Sequence, residues 1–585
     1  MTAQPAANHG HRPATLQSNA GAAFTRIEGE TKNNAASKRA EIPNKAIIAL
    51  RKAVGHFKKG EWAPAALAAA EAADIHAKYA SAYHILALAL DNLGQRHQAF
   101  TMYERALALD PHDTDLYLNV GLAAWSLGLN DGAEKAFRAY IEMRPDCPKG
   151  YNNLGVCLRD KGEFDAAIDL VRNALLRMPD SAELWNTLGT IMGEQSDFEN
   201  AATFYREAQR LDPKMSRAYH NLGHALNHVG PLDDAIANYT RALELCNIDS
   251  DRAEILHARG LCLAGMGRLE EGWPEYEERH NPRFGQSNYF AVPAPRWDGE
   301  DLAGKRLLVA SEQGLGDEIM FASLIPDLIS RVGPEGKVLI ACDHRLVPLL
   351  RRSFPETHVG QETHTTHNAK PVRVVQWAKD DLKADFYTPM GTPLQYLRRR
   401  LEDFPANRAY LKPDPSRVRF WQDRLAALGP GPYVGACWRS MVMTAHRKKF
   451  FSALEMWRPM LETTSAKFIN VQYGDCKAEL AFMRENFGIV IHNFDDLDLK
   501  MNLDDNAALC AALDLVVSAP TAAAALAAAT GTETWFLTAG RVWPQLGTDH
   551  YPWYQNTRVL TPEKFGDWPE VMTRLAGDLE MFAAR

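Results

Sequence analysis

Residues 151–179 read YNNLGVCLRDKGEFDAAIDLVRNALLRMP. An aromatic opens the stretch, Leu154-Gly155 follow, Gly162 marks a break, Ala167 and Ala174 stand seven apart, and Pro179 closes it. The same set returns at a fixed period. Aromatics stand at Tyr83, Tyr117, Tyr151, Trp185 and Tyr219, each 34 residues from the last. Behind Tyr117 come Val120-Gly121, Gly128, Ala133, Phe137 and Pro145; behind Trp185 come Leu188-Gly189, Ala201, Tyr205, Ala208 and Pro213. Small residues in this phase let two helices approach closely, the aromatic and Leu fill the groove between them, and the proline ends the second helix. A period of this length is the mark of a helical repeat array.

This pattern resembles the tetratricopeptide repeat. Gly60, Ala65 and Ala72 extend it one unit back; Leu256, Gly260, Leu263, Gly267 and Tyr276 extend it one unit forward after a slip of three residues. About seven repeats are expected over 46–284, stacked as a solenoid with a concave face. Two positions after each aromatic stand Asn119, Asn153, Thr187 and Asn221. Such carboxamides can pair with the backbone of an extended acceptor peptide, or they serve local hydrogen bonding within the repeat. His220, His224, Asn227 and His228 crowd one face, but no Cys or carboxylate completes a ligand set, so no metal is expected.

The rest of the composition narrows the class. The chain has 585 residues, enough for three or four domains, with 46% hydrophobic and 24% charged residues. That excludes a mostly disordered chain. A net charge of −8 gives no global reason to bind nucleic acid. Eight scattered cysteines without a C-x-x-C pair suit a reducing, cytoplasmic setting rather than a disulfide framework. Residues 1–45, rich in Ala, Asn, Thr and Pro, read as a disordered tail without a signal-peptide core. The apolar stretch Ala507 to Leu537 contains Asp514, Pro520 and Glu533 and does not read as a membrane span.

After Trp297-Asp298-Gly299 the grammar changes to alternating strand and helix. Strands are expected at Leu307–Ala310, Val338–Cys342, Tyr433–Trp438, Phe468–Gln472, Ile489–Ile491, Leu515–Ser518 and Thr534–Leu537. Pro405–Pro415, with three prolines, reads as a linker. Two doubly wound, Rossmann-like domains, 285–410 and 411–585, would then face a cleft at their carboxyl-end loops. In the loop Gly314-Leu315-Gly316-Asp317, the glycines permit close backbone approach to a ligand, and Asp317 is either a carboxylate opening onto the cleft or a helix cap.

The runs Ser311-Glu312-Gln313-Gly314-Leu315-Gly316-Asp317-Glu318-Ile319, Gly435-Ala436-Cys437-Trp438-Arg439-Ser440, Val471-Gln472-Tyr473-Gly474 and Leu513-Asp514-Leu515-Val516-Val517-Ser518 look like the heptosyltransferase-type glycosyltransferases of GT-B fold. With the repeats, the whole chain resembles bacterial repeat-linked glycosyltransferases, including the flagellin glycosyltransferases and, more distantly, the protein O-GlcNAc transferases. The resemblance implies a metal-independent, inverting transferase without cofactor that moves a sugar from a CMP- or UDP-linked donor to Ser or Thr. The acceptor held by the repeats would be flagellin, the sugar a nonulosonic acid of the pseudaminic type, and the role flagellum assembly.

Asp317 is then the candidate base, with Glu318 and Glu312 as alternatives. Gly314, Gly316, Arg439, Ser440, Lys449, Gln472, Tyr473, Pro520 and Thr521 are candidates for the donor, and Asn119, Asn153 and Asn221 for the acceptor. The basic run Arg447-Lys448-Lys449 reads as a phosphate clamp or a solvated loop, and Asp496-Leu497-Asp498 as a solvated loop. One departure stands out: where related transferases carry D-T-x-x-x-H, Pro520 replaces the Asp and Ala525 the His. The alternative reading is a repeat scaffold or chaperone with an inactive transferase-like domain.

Overall fold

A computed structural model describes residues 42–584 apart from 286, 368–369, 380–381, 406–408 and 464. The N-terminal tail up to residue 41 lies outside the described residues, and the first helix begins at Asn44. Contacts divide the chain into two compact units at Ala218/Tyr219.

The first unit is a stack of helical hairpins: Asn44–Lys58 with Trp62–Ile75, Ala80–Asn92 with Arg96–Leu109, Thr114–Ser126 with Asn130–Met143, Pro148–Lys161 with Phe164–Arg177, and Ala182–Glu194 with Phe198–Leu211. The turn within each hairpin needs one left-handed residue. Gly60, Gly94, Gly128 and Gly162 supply it with φ of 75–81°, and in the fifth hairpin Ser196 takes the same conformation at φ 70°. Only glycine does this without strain. The motif glycine on the first helix has a different reason: a Cβ on Gly189 would stand 2.6 Å from the ring of Tyr205. Helix-on-helix contact therefore depends on the missing side chain.

The second unit carries two further hairpins, the helices Ser216–Val229 with Leu232–Leu245 and Asp249–Gly265 with Leu269–Tyr276, and then the α/β half. The last hairpin groups with the sheets, whereas the sequence-based boundary falls at 284. Its Trp273 is buried, donates its indole N–H to the Arg398 carbonyl at 2.6 Å and meets Trp543 edge-on. That places repeat and sheet in one apolar core with Trp297, Phe321 and Trp553.

Strands β1 (Tyr289–Ala291), β2 (Arg306–Ala310), β3 (Lys337–Cys342), β4 (His358–Gln361), β5 (Thr363–His367), β6 (Lys370–Val374) and β7 (Phe386–Pro389) build two sheets. A parallel four-stranded sheet runs β4-β3-β2-β7, and a small mixed sheet runs β1-β6-β5. Strands β8 (Tyr433–Cys437), β9 (Lys467–Asn470), β10 (Ile491–His492), β11 (Leu515–Ser518), β12 (Glu533–Leu537) and β13 (Thr557–Leu560) form a parallel sheet in the order β10-β9-β8-β11-β12-β13. Both parallel sheets bury their central strands, the reason β2, β3 and β11 are near-continuous apolar runs.

The two sheets meet through their helices. Leu315–Phe321, which follows β2, packs on Ala522–Ala529, which follows β11, within one core. Arg352 clasps Asp504 with two bonds of 2.7 and 2.8 Å. Of the expected linker Pro405–Pro415, residues 406–408 lie outside the described residues; Tyr410 and Leu411 are packed, whereas Pro405, Ala409, Lys412 and Pro415 are exposed. Tyr410 and Leu411 both donate their amides to the Ala529 carbonyl, and the Tyr410 hydroxyl donates to Ile319 O at 2.7 Å. Aromatic and leucine side chains between prolines have enough surface to join the core.

Candidate functional site

The carboxyl end of β2 feeds straight into the Ser311–Asp317 loop and the helix Leu315–Phe321. Asp317 sits in the first turn of that helix. Its Oδ2 accepts the Gly314 N–H at 3.2 Å, reaching back over the helix start as a capping carboxylate does. The residue is 3% exposed, and burial pushes its carboxyl up from the ordinary value. Gly314 is exposed and Gly316 buried.

Two other carboxyls flank it. Burial alone would raise Glu312, but the adjacent Arg279 and His280 hold it well below the usual carboxylate range. Arg279 Nε donates to Glu312 Oε2 at 2.6 Å, Nη2 donates to Oε1 at 3.1 Å, and Gly391 N–H also donates to Glu312. The same guanidinium donates to Tyr276 O and Glu277, so the end of the last repeat is tied to the β2 loop. Glu318 behaves oppositely. Burial, then repulsion from Glu362, pushes it up to about 8, although Asp343 N–H donates to its Oε2 at 3.0 Å. Arg373, from β6, holds the loop from the other side, with Nη1 donating to Ser311 Oγ at 2.6 Å and Nη2 to Gln313 O at 2.9 Å. Sequence reading missed Arg279, Glu362, His364 and Arg373. The only hint was the charged, alternating run Gln361-Glu362-Thr363-His364.

At the second sheet, Thr521 caps the helix Ala522–Ala529, its Oγ1 accepting Ala524 N–H at 3.4 Å. Its hydroxyl lies 3.2 Å from Ser518 Oγ, and Pro520 precedes it in the strand-to-helix turn. Ala525 is fully buried in the helix–helix core. Gln472 turns inward: its Oε1 accepts the amides of Trp438 and Arg439 at 3.1 and 2.9 Å, and its Nε2 donates to Tyr473 O. Gln472 thus shapes the loop after β8. Arg439 pairs with Glu479, its Nε donating at 2.8 Å, and Nη2 also donates to Asp475 O. Ser440 is buried and accepts from Arg447 Nη2 at 2.9 Å. Tyr473 is largely buried, and Lys449 lies over the Phe450 ring.

The asparagines of the repeats differ from one another. Asn119 is fully buried and its Nδ2 meets His84 Nε2 at 2.8 Å. Asn153 is 6% exposed; its Oδ1 accepts from Asn152, and its Nδ2 has no hydrogen-bond partner among the described residues. Asn221, half-buried, lies on the helix Ser216–Val229 in the other unit. His224 and His228 stand ring to ring at 5.1 Å, but no group of three potential ligands occurs among the described residues. Asp496 pairs with Arg424, at 2.6 Å. Two cavities of about 360 Å³ lie away from these residues, one beside Trp535, Arg558 and Asp578, the other beside Glu270, Arg399 and Arg400. Neither touches the β2 or β11 loops. All eight cysteines are free thiols, and no described helix is long and apolar enough to cross a membrane.

Comparison with known proteins adds the following. Models described as tetratricopeptide repeat match residues 86–148, 122–182, 152–216 and 216–249. Protein FlbA of Caulobacter vibrioides is 41% identical over 350 residues, 60% of this chain and 59% of that protein. The match therefore spans less than two thirds of the relative's length. Its 350 residues exceed the 284 that precede the α/β half, so it reaches into that half. Among solved structures, TTC0263, a thermophilic TPR protein in Thermus thermophilus, is 25% identical, covering 31% of this chain and 98% of its own, with a TM-score of 0.28. YrrB, a TPR protein with an unusual peptide-binding site, is 19% identical, covering 34% and 96%, with a TM-score of 0.27. The chain carries tetratricopeptide repeats, followed by an α/β region of parallel sheets.

Proposed function

We propose that the protein is a glycosyltransferase of GT-B type that moves a sugar from a CMP- or UDP-linked donor to Ser or Thr of a protein held by the repeats. The observation that carries this reading is the pairing of two strand-to-helix turns. The loop after β2 and the loop after β11 each start a helix at the carboxyl end of a parallel strand, and those helices pack together. Nucleotide ligands bind at such strand ends, where helix N-termini favour phosphate. In this reading Thr521 and the small residues after it receive the donor phosphates. The carboxylate-rich β2 loop, with Asp317 as the base suggested by the sequence, receives the acceptor hydroxyl. Flagellin as acceptor and pseudaminic acid as sugar follow from the family resemblance, and a cytoplasmic site of action follows from the scattered free cysteines. The test is intact mass of purified flagellin after incubation with the protein and CMP-pseudaminic acid in the presence of a chelator. Added sugar masses are expected; none, with metal or without, would remove the transferase reading.

A scaffold or chaperone is the second reading, favoured by Arg439 being paired with Glu479 and by the buried Ala525. It requires flagellin binding by the full chain with no CMP binding in calorimetry.

A further inference from the structure

A transferase needs a base that the acceptor can reach, and Asp317 is nearly closed off behind its bond to Gly314. Another group stands at the same strand ends. Gln361, the last residue of β4, pairs with Cys342 of β3; Ser311 N–H donates to Ala341 O and Glu362 N–H to Cys342 O. Register therefore brings Ser311 and Glu362 to the carboxyl edge together.

The Glu362 side chain is fully buried. Its Oε1 collects three donors: the Ser311 hydroxyl, Arg373 Nη1, and His364 Nε2 at 2.7 Å. Arg373 is itself fixed to Ser311 Oγ and Gln313 O, so the carboxylate cannot swing away. His364 differs from the other three in exposure, with 57% of its side chain open to solvent. We assign the Nε2–H tautomer because the carboxylate is the nearer partner: Nε2 donates to Glu362 at 2.7 Å, the donor-only Arg373 Nη1 at 3.1 Å then makes no hydrogen bond to it, and the Nδ1 lone pair is left as the acceptor. This is how a buried carboxylate orients a catalytic imidazole. The charged groups facing the ring are Glu362 at the end of β4 and Arg373 from β6.

We propose that His364, oriented by Glu362, is the base that takes the acceptor hydroxyl's proton, an assignment that rests on the transferase reading. The Ser or Thr O–H proton passes to Nδ1, and the oxygen forms the new bond to the anomeric carbon. The bond from that carbon to the donor phosphate breaks, with its electron pair leaving on the nucleotide. Asp317 then shapes the loop. Glu362 and Arg373 are positioning residues.

The experiment compares purified wild type, His364→Gln, Asp317→Asn and Glu362→Gln, with CMP-pseudaminic acid and flagellin, from about pH 5.5 to about 8.5. Melting curves and CMP calorimetry accompany each. His364→Gln, a surface change, is expected to melt and bind CMP as wild type does. Its kcat falls about 10²–10⁴-fold, the usual contribution of a general base, and the acidic limb of the pH profile disappears. Asp317→Asn lowers turnover but keeps that limb, and Glu362→Gln moves it. His364→Gln within about threefold of wild type, limb intact, overturns the assignment while leaving the transferase reading standing; that margin is far below a base's usual contribution. A folded wild type that transfers nothing overturns both.

Discussion

Glu318 offers the sharpest electrostatic test of the β2 loop. Burial and the nearby Glu362 raise its carboxyl from the ordinary 4.5 to about 8. A raised carboxyl means that the folded state holds the proton more tightly than the unfolded chain. Below about pH 4.5 both states are protonated and the group costs nothing. As pH rises toward 8 the unfolded chain releases the proton while the folded protein keeps it, so stability falls. At about 1.4 kcal/mol per tenfold in proton affinity, the loss across that interval reaches on the order of 5 kcal/mol at most. Glutamine cannot titrate, yet its carbonyl oxygen can still accept the Asp343 amide. Glu318→Gln should therefore match wild type near pH 5 and become progressively more stable than it up to about pH 8, with the gain level above. The assay is the difference between urea midpoints of the two proteins across this range, followed by tryptophan fluorescence. A difference that stays constant with pH would refute the reasoning. Glu312, six residues earlier, has the opposite sign: its stabilisation is present above the carboxylate range and disappears as pH falls.

Other perturbations probe the rest of the frame. Ser196→Gly, at the left-handed turn of the fifth hairpin, should raise stability by about 1 kcal/mol, read as a higher melting temperature; no change would mean the turn is relaxed. Arg279→Met leaves Glu312 buried without its guanidinium and should cost about 3–5 kcal/mol, whereas Arg279→Met with Glu312→Leu should recover much of the loss; equal damage from both would refute the pairing. Ala525→His forces a bulky side chain into a filled helix interface and should destabilise by about 1–3 kcal/mol without creating CMP binding; a wild-type melt would show that the space exists.

The repeats were legible because each structural demand is made again every 34 residues. One glycine at a turn is ambiguous; Gly60, Gly94, Gly128 and Gly162 in phase are not, and they still identify Ser196 as the same turn. The buried parallel strands were legible for a different reason: both faces are covered, so β2, β3, β8 and β11 are short apolar runs. Strands β5 and β6 escaped detection. They carry Thr, His, Lys and Arg, and the small sheet they form with β1 is only half-covered, so no hydrophobic pattern announces it.

The site was legible only as far as loops, because a side chain's partner is set by tertiary proximity that the local sequence does not encode. Arg439 and Gln472 lie where a donor-binding loop was expected, yet Arg439 reaches Glu479, 40 residues on, and Gln472 spends its carbonyl on two backbone amides. Sequence position locates such residues, but the direction of their hydrogen bonds decides whether they meet a ligand or hold a loop. The same logic separates the carboxyls of the β2 loop. Glu312, Asp317 and Glu318 fall within seven residues and are chemically equivalent in isolation. Arg279 and His280 hold the Glu312 carboxyl low, the helix start claims Asp317, and burial together with Glu362 raises the Glu318 carboxyl. The histidine proposed as the base sits on a strand missed by hydrophobic pattern, held by a glutamate whose other donors come from β6 and the β2 loop. The placement of that histidine therefore depends on the packing of the small sheet against the β2 loop, a contact visible only once the chain is folded.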